Sequence, residues 1–302
     1  MNSFKAQGKL LLTGEYLVLK GAVALALPTK LGQIMTVESS SETSLCWNAY
    51  KPDGPWFSVA LNAKTLEIIE TDDQSKAEKL VQILKAVQAL NPNAIVPGLC
   101  FETRLEFNTE WGLGSSSTLL SLLAQWAGVN PYTLLKMTIG GSGYDIACAT
   151  ANSAIHYKLD QGEPKVHPVV FNPPFTDRLF FIYQGKKQHS SEEVKAFNKH
   201  WEDVDLTNEM QIISELSMAL PTVTYFEDFR TLLQVHESII SSCLNREPVQ
   251  KQFPDFDGVL KSLGAWGGDF IMAATEQPYE QVAAYFKKHG LDTVFHYHDI
   301  IL

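Results

Sequence analysis

Residues 112–118 read Gly-Leu-Gly-Ser-Ser-Ser-Thr and follow an apolar run that predicts a strand. From Ser115 to Ala127 the chain has the composition of a well-buried helix, which we expect to end at Gly128. Glycines let the backbone adopt positive φ angles and approach a ligand closely. The N–H groups and the dipole of a helix N-terminus favour an anion. The segment therefore predicts a phosphate cradle, although serine also caps helices without any ligand.

Two other known phosphate loops fit this stretch less well. A Walker A loop needs the string G-x-x-x-x-G-K-[ST], which the chain lacks. A dinucleotide-binding turn normally belongs to an early βαβ unit, with an acid at the end of a strand about 20 residues further on. Here the glycine turn lies in the middle of the chain, and no acid ends a predicted strand at that distance. The dinucleotide interpretation is therefore the weaker one.

The bulk composition limits the class of protein. A chain of 302 residues with 45% hydrophobic and 19% charged residues is typical of a globular protein of two domains or one large domain. A net charge of −10 disfavours binding to nucleic acid. No stretch approaches the roughly 20 apolar residues of a membrane span, and the first residues lack a signal-peptide pattern. We therefore expect a cytoplasmic protein with neither a nucleic-acid nor a membrane partner.

The four cysteines, Cys46, Cys100, Cys148 and Cys243, show no C-x-x-C spacing. Such spacing marks many thiolate metal sites and redox pairs. We therefore expect four reduced thiols in or near the core, without a disulfide and without a thiolate-bound metal.

Hydrophobic periodicity divides the chain into strands and helices. The predicted strands are 9–19, 23–37, 98–108, 179–184, one after the glycine turn at 264–268, and a final one near the C-terminus. The predicted helices are 76–90, 115–127, 144–151, two or three within 191–245, and one near 279–288. The string Phe-Asn-Pro-Pro at 171–174 is the best candidate hinge. Strands and helices alternate on both sides of it, which predicts α+β domains at 1–172 and 173–302.

Two further segments are informative when they are considered together with the glycine loop. Residues 8–16, Gly-Lys-Leu-Leu-Leu-Thr-Gly-Glu-Tyr, place Lys9 at the start of an apolar strand and an acid in the following turn. A single lysine on a strand is usually solvated or paired with an acid. Residues 264–268, Gly-Ala-Trp-Gly-Gly, form a glycine turn before an apolar run. Alone, each segment indicates only ordinary local structure.

Taken in chain order, the three segments resemble the three signature motifs of the GHMP kinase superfamily, named for galactokinase, homoserine kinase, mevalonate kinase and phosphomevalonate kinase. Residues 8–19 resemble P-G-K-x-x-L-x-G-E-[HY]-x-V, residues 112–116 match G-L-G-S-S, and residues 264–268 resemble G-A-G-x-G-G. Their order and spacing over the whole chain make the resemblance specific. Phosphomevalonate kinase looks nearest, because it shares Tyr16 and the Gly-Asp end of the third motif.

A fourth string supports the resemblance. Residues 142–147, Ser-Gly-Tyr-Asp-Ile-Ala, are similar to a phosphomevalonate kinase string and to that of a GYDIA-type GHMP kinase group. The resemblance implies a two-domain α+β fold, with a domain like ribosomal protein S5 domain 2 at 1–172, a ferredoxin-like domain at 173–302, and the active site between them. It also implies ATP and Mg²⁺ as cofactors and a small acidic or hydroxylated substrate. A homodimer is compatible with it.

The resemblance also implies a role for each motif residue. Asp145 corresponds to the catalytic aspartate that takes the proton of the substrate hydroxyl, and Lys9 to the lysine that keeps it ionised and stabilises the developing charge. Ser116 corresponds to the serine that binds Mg²⁺. The implied nucleotide-binding residues are Gly112, Leu113, Gly114, Ser115, Ser116 and Ser117. The implied substrate-binding residues are Glu15, Tyr16, Gly264, Ala265, Gly267, Gly268, Lys187 and Ser191.

The sequence departs from the family pattern at several points. Gln7 replaces the proline of the first motif, Trp266 replaces a glycine of the third, and residues 116–145 contain no match for the family's Mg²⁺-binding glutamate. We expect a kinase that phosphorylates an alcohol or phosphate, with a mevalonate-pathway intermediate as its acceptor. Two alternatives stay open: an enzyme like diphosphomevalonate decarboxylase, whose second motif tends to read A-S-x-x-A-S-S-A, and a catalytically silent fold used for binding.

Overall fold

A computed structural model describes residues 2–188, 193, 197, 201 and 204–302. They form a mixed α+β fold with two compact units. Unit 1 comprises residues 2–8, 31–109 and 113–150, and unit 2 comprises the described parts of 9–30, 110–112 and 151–302. The domain boundary at 172/173 stays a prediction.

Unit 1 contains a sheet and four helices. Strands β1 (Asn2–Thr13) and β2 (Ala24–Ser39) contribute residues to both units. The other elements of unit 1 are β3 (Ser44–Lys51), β4 (Gly54–Asn62), β5 (Ile68–Thr71), α1 (Gln74–Leu90), β6 (Leu99–Leu105), α2 (Ser115–Ala127), α3 (Pro131–Met137) and α4 (Tyr144–Ala149). The strand order is β5-β4-β3-β6-β2, and β3 and β6 are parallel whereas the other neighbours are antiparallel.

The core of unit 1 fixes helix α2 on this sheet. Alternate residues of β3 are buried, as expected for a strand with one face in the core. Trp47 of β3 stacks on Phe101 of β6 at 5.0 Å between ring centroids, and Phe101 meets Trp126 of α2 edge to face at 4.8 Å. Such aromatic contacts add to the free energy gained by burial. The glycine loop therefore leads into a helix that is firmly packed on the sheet.

Unit 2 contains the remaining strands and α-helices of the described residues. They are β7 (Ile155–Asp160), β8 (Glu163–Pro168), β9 (Leu179–Tyr183), α5 (Thr207–Ala219), α6 (Phe226–Leu244), β10 (Val259–Ser262), β11 (Phe270–Ala274), α7 (Tyr279–Lys288), β12 (Val294–His296) and α8 (Tyr297–Ile300). Strand β7 pairs with β8 and with the first residues of β2. The order of the second sheet is β10-β11-β9-β12, all antiparallel.

Most predicted elements are confirmed, but the strands β3, β4, β5, β7 and β8 are absent from the prediction, and the first predicted strand ends at the wrong residue. Helix α2 has the predicted bounds, and its C-cap Gly128 has φ +65°. The strand predicted over 9–19 is instead β1, which ends at Thr13. Gly14 at φ +85° and Tyr16 at φ +59° turn the chain there, because extended strands need negative φ angles. A short 3₁₀ helix, Leu17–Lys20, follows.

The prediction of four reduced thiols is wrong for one pair. Cys46 and Cys100 form a disulfide, whereas Cys148 and Cys243 are free and buried. Cys46 of β3 and Cys100 of β6 are register partners on adjacent parallel strands, with their Cα atoms 4.6 Å apart. Separations of this size permit a disulfide. The pairing depends on strand register across 54 residues, which cysteine spacing does not show.

None of the helices in the described part of the chain combines the length and the apolar surface that crossing a bilayer requires.

Candidate active site

The glycine loop leads directly into helix α2 in unit 1. Gly114 is the N-cap residue and has φ +92°, in the left-handed region that favours glycine. Because glycine has no side chain, this cap cannot accept the N–H groups of the first turn, which need an acceptor from elsewhere. Leu113 is fully buried, Ser115 is half-buried and Ser116 is exposed. This start of α2 has the features of an anion-binding helix N-terminus.

Asp145 lies beside the first turn of α2. It is in the first turn of α4, whose N-cap Gly143 has φ +86°. The hydroxyl of Ser117 donates a hydrogen bond to Oδ2 of Asp145, and the backbone N–H of Ile146 donates to Oδ1 at 3.0 Å. Ser117 is buried and Asp145 only half-buried. The structure thus places one carboxylate, held by a serine hydroxyl, at the loop predicted to bind phosphate.

Lys9, Gly112 and the third motif meet in unit 2. Nζ of Lys9 donates to the carbonyl oxygen of Gly112 at 2.7 Å. The carboxyl group of Asp269 packs against the same glycine, since a Cβ atom added to Gly112 would lie 2.4 Å from its Cγ. These residues and Gly264 line a small cavity of about 10 Å³. Three segments that are far apart in the sequence therefore converge on one point.

We expect Gly112→Ala to lower the free energy of unfolding by about 1–3 kcal/mol more than Gly128→Ala, because only the first change creates an overpacked contact. Gly112 and Gly128 have φ angles of +67° and +65°, but only Gly112 has atoms within 4 Å of an added Cβ. Urea unfolding of both variants measures the difference. Equal losses would mean that Asp269 moves away freely.

The third motif forms the predicted glycine hairpin between β10 and β11. Gly264 and Gly267 have positive φ angles, and a Cβ at Gly268 would lie 2.5 Å from the carbonyl oxygen of Lys186. Ala265 is buried. Trp266, which replaces a glycine of the family motif, is also buried, in an apolar cluster of unit 2 with Tyr16 and residues of α5 and α6.

The loop after β9 is only partly described. Nζ of Lys187 lies 3.9 Å from a carboxylate oxygen of Glu110, and both side chains are partly exposed. Ser191 lies outside the described residues. The substrate-binding roles of both residues stay predictions.

Glu15 is engaged in a buried ionic cluster. Its side chain is fully buried, Oε1 accepts a hydrogen bond from Nζ of Lys261 at 2.6 Å, and Oε2 lies 3.2 Å from Nε2 of His236. Burial lowers the pKa of His236 well below its usual 6.5, and the charge of Lys261 lowers it further. The ring is therefore neutral, and Nε2 accepts the N–H of Gly14 at 3.0 Å. Oε1 thus has Lys261 as its partner, whereas Oε2 is buried without a hydrogen-bond partner among the described residues, and the substrate-binding role of Glu15 stays a prediction.

Burial raises the pKa of Glu15 from 4.5 to about 7, against the opposing charge and hydrogen bond of Lys261. The folded chain thus binds more protons at Glu15 than the unfolded chain between these values. Stability from this group is complete below about pH 4.5 and is lost as the pH rises through about 7.

We therefore expect the free energy of unfolding of the parent, relative to Glu15→Gln, to fall by up to about 3 kcal/mol between pH 4.5 and pH 8. Glu237, whose pKa is also raised by burial, is present in both proteins and largely cancels in the comparison. Urea unfolding across this pH range measures the difference between the parent and Glu15→Gln, with the change Glu280→Gln at an exposed position as the control. A constant difference between parent and variant would contradict the raised pKa.

Tyr16 lines a larger cavity in unit 2. The cavity has a volume of about 310 Å³ and is also lined by Phe197, Trp201 and Arg246. Burial raises the pKa of Tyr16 above its usual value, and its hydroxyl is without a hydrogen-bond partner among the described residues. A volume of this size lies at the lower end of small-molecule sites, so Tyr16 stays a candidate substrate contact.

Two features of these sites were not apparent from the sequence. Asp269 ends the third motif, but no pattern showed that its carboxylate would face Gly112. Lys261 sits in an apolar strand and is fully buried. A lysine in an otherwise apolar strand is a signal that a buried acid is needed as its partner. Among the described residues, no three His, Cys, Asp or Glu side chains are grouped so as to hold a metal.

No protein-family model and no curated protein matches the chain. Several solved structures, in contrast, are similar to the chain. Mevalonate kinase of Methanococcus jannaschii aligns with a TM-score of 0.72 and 16% identity over 97% of this chain and 96% of that chain. Phosphomevalonate kinase of Streptococcus pneumoniae, solved with phosphomevalonate and AMPPNP, gives 0.72 and 16% over 98% and 99%.

Galactokinase of Lactococcus lactis, solved with galactose, aligns with a TM-score of 0.62 and 13% identity over 94% of this chain and 87% of that chain. At such identities the similarity concerns the fold. The coverage of both chains, 87% or more in each comparison, extends it over nearly the full length of each chain. This chain has the two-domain α+β fold of the GHMP kinases.

Proposed function

We propose that this chain is an ATP-dependent small-molecule kinase. The observation that carries the proposal is the convergence of Lys9, Gly112 and Gly264 on one point in unit 2, because each comes from a different motif. A fold alone supports many functions, whereas a lysine held at the glycine of a phosphate loop has a direct use in phosphoryl transfer. The roles of the individual residues are part of the proposal.

Phosphoryl transfer depends on an oriented hydroxyl and on neutralisation of charge at the phosphates. We assign to Asp145 the removal of the proton from the acceptor hydroxyl. The hydrogen bond from Ser117 fixes the orientation of that carboxylate. The N–H groups at the start of α2 bind phosphate oxygens, and the ammonium group of Lys9 stabilises the charge on the transferred group.

The residues at the start of α2 and α4 fit Mg²⁺. This ion prefers oxygen ligands and usually combines one or two carboxylates with phosphates and water. Ser116 offers an exposed hydroxyl, and Asp145 offers a half-buried carboxylate in the same unit. Bound there with ATP, Mg²⁺ would neutralise phosphate charge.

For the acceptor, we propose an intermediate of the mevalonate pathway. The motif resemblance favours it, and one of the similar structures holds phosphomevalonate with a nucleotide analogue. Another holds galactose, so sugars are the first competing class. Tyr16, at its cavity, is the proposed contact for the acceptor. We also propose a cytoplasmic location.

Two measurements test the function. Calorimetric titration with Mg-ATP should show binding below millimolar concentration, and a screen of mevalonate, phosphomevalonate, homoserine and sugars should show ATP-dependent phosphorylation of one class. Release of CO₂ from diphosphomevalonate would favour a decarboxylase instead. Binding of ATP without transfer to any acceptor would favour a silent binding protein, and the absence of ATP binding would refute the kinase proposal.

A further inference from the structure

Asp269 is held in an unusual conformation. Its φ angle of +53° lies in the left-handed region, which non-glycine residues seldom adopt. Its N–H donates to the carbonyl oxygen of Lys186 at 2.7 Å, and its own carbonyl oxygen accepts the N–H of Gln184 at 2.8 Å. The N–H of Gln188 donates to Oδ1 at 3.1 Å. The segment after β9 thus fixes both the backbone and the side chain.

This arrangement directs a buried acid at the lysine of the first motif. Asp269 is 6% exposed, and its carboxyl group packs on Gly112, whose carbonyl oxygen accepts the hydrogen bond from Lys9. Burial raises the pKa of Asp269, and the nearby charge of Lys9 is the largest influence that lowers it. The charge of Lys187 also lowers the pKa of Asp269, though less than that of Lys9, and the charge of Glu110 raises it.

We propose that Asp269 is a positioning residue that holds the ammonium group of Lys9 at Gly112 for phosphoryl transfer. Backbone strain that the surroundings maintain is a feature of functional sites, and here it brings a carboxylate to the glycine that binds the lysine. A carbonyl oxygen alone is a weak restraint on a long, flexible lysine side chain, whereas a buried opposite charge restrains it strongly. This role rests on the proposed kinase function.

Asp269→Asn tests the role with little change in shape. Asparagine tolerates the left-handed region, and its amide oxygen can accept the N–H of Gln188. We expect the variant to lower kcat about 10-fold to 100-fold, the range for losing one charged hydrogen-bond partner. The KM for ATP should change by less than about threefold, because the effect is on the transferred group.

A double-mutant cycle separates positioning from general support of the loop. If Asp269 acts through Lys9, then Asp269→Asn should have almost no effect in a Lys9→Met background. Additive losses would overturn the proposal. So would tighter ATP binding at unchanged kcat, because it would show that the carboxylate only repels phosphate. Asp292→Asn, an exposed acid on the same unit, is the matched control and should leave kcat unchanged.

A readout independent of activity distinguishes this proposal from the kinase function. The rate at which a dilute acylating reagent modifies Lys9, measured by mass spectrometry against the exposed Lys79, should rise severalfold in Asp269→Asn. If the acylation rate of Lys9 rises although the protein has no kinase activity, the result supports the positioning of Lys9 by Asp269 and refutes only the kinase function. An unchanged rate would overturn the positioning role, whether or not the protein is a kinase.

Discussion

Asp145→Asn should lower the rate of phosphoryl transfer by about a hundredfold to ten-thousandfold, the contribution usual for a general base. In the variant the amide oxygen can accept the N–H of Ile146 while the amide NH₂ group donates to the hydroxyl oxygen of Ser117, so both contacts of the carboxylate are replaced. The local structure of α4 should therefore persist while the proton acceptor is lost. The measurement is kcat with the acceptor found in the screen, together with ATP affinity by calorimetry.

ATP affinity of this variant should stay within a few-fold of the parent, because the loop and the start of α2 are unchanged. Asp292→Asn serves again as the control for an aspartate-to-asparagine change at an exposed position. Equal turnover by Asp145→Asn and the parent would remove Asp145 from the base role. Loss of ATP binding along with turnover would show that the proposed Mg²⁺ contact of Asp145 outweighs its role as a base.

Lys261→Met should lower the free energy of unfolding at pH 8 by about 3–5 kcal/mol, the usual effect of removing one partner of a buried ion pair. Lys261 is fully buried, and its Nζ donates to Glu15 at 2.6 Å and to the carbonyl oxygen of Ser262 at 2.8 Å. Methionine fits a similar volume but leaves the carboxylate of Glu15 without a cation. Urea unfolding at constant pH measures the loss.

Two comparisons make this result specific. The exposed Lys79→Met should change stability by less than about 0.5 kcal/mol. The double variant Glu15→Gln with Lys261→Met should be more stable than Lys261→Met alone, because it also removes the buried carboxylate that accepts the hydrogen bond from Lys261. A double variant as unstable as the single one would show that the loss comes from packing around Lys261.

Local patterns predicted much of this protein correctly. The apolar spacing and the stop at Gly128 predicted the bounds of α2, and the glycines before it predicted a turn into a helix start. Helix α1 and the hairpin at 264–268 also follow from residues close in sequence. These features depend on periodicity and on glycine conformations, which act within a few residues.

The end of β1 shows the limit of such reasoning. Apolar residues occur again at 17–19, so the pattern predicted a strand up to residue 19, where the structure has a 3₁₀ helix. The turn is set by positive φ angles at Gly14 and Tyr16. A tyrosine in the sequence does not predict a positive φ angle. Tyr16 adopts one while its side chain is packed in the apolar cluster of unit 2.

The sequence by itself determined the glycine loop, the helix that follows it and the order of the three motifs. Only the tertiary structure decided which side chains those motifs present to one another. It buried Glu15 with Lys261, paired Cys46 with Cys100, and brought Asp269 to Gly112. The physical reason is that helix and turn signals are local, whereas burial and the choice of an ionic or disulfide partner depend on strand register and packing between distant segments.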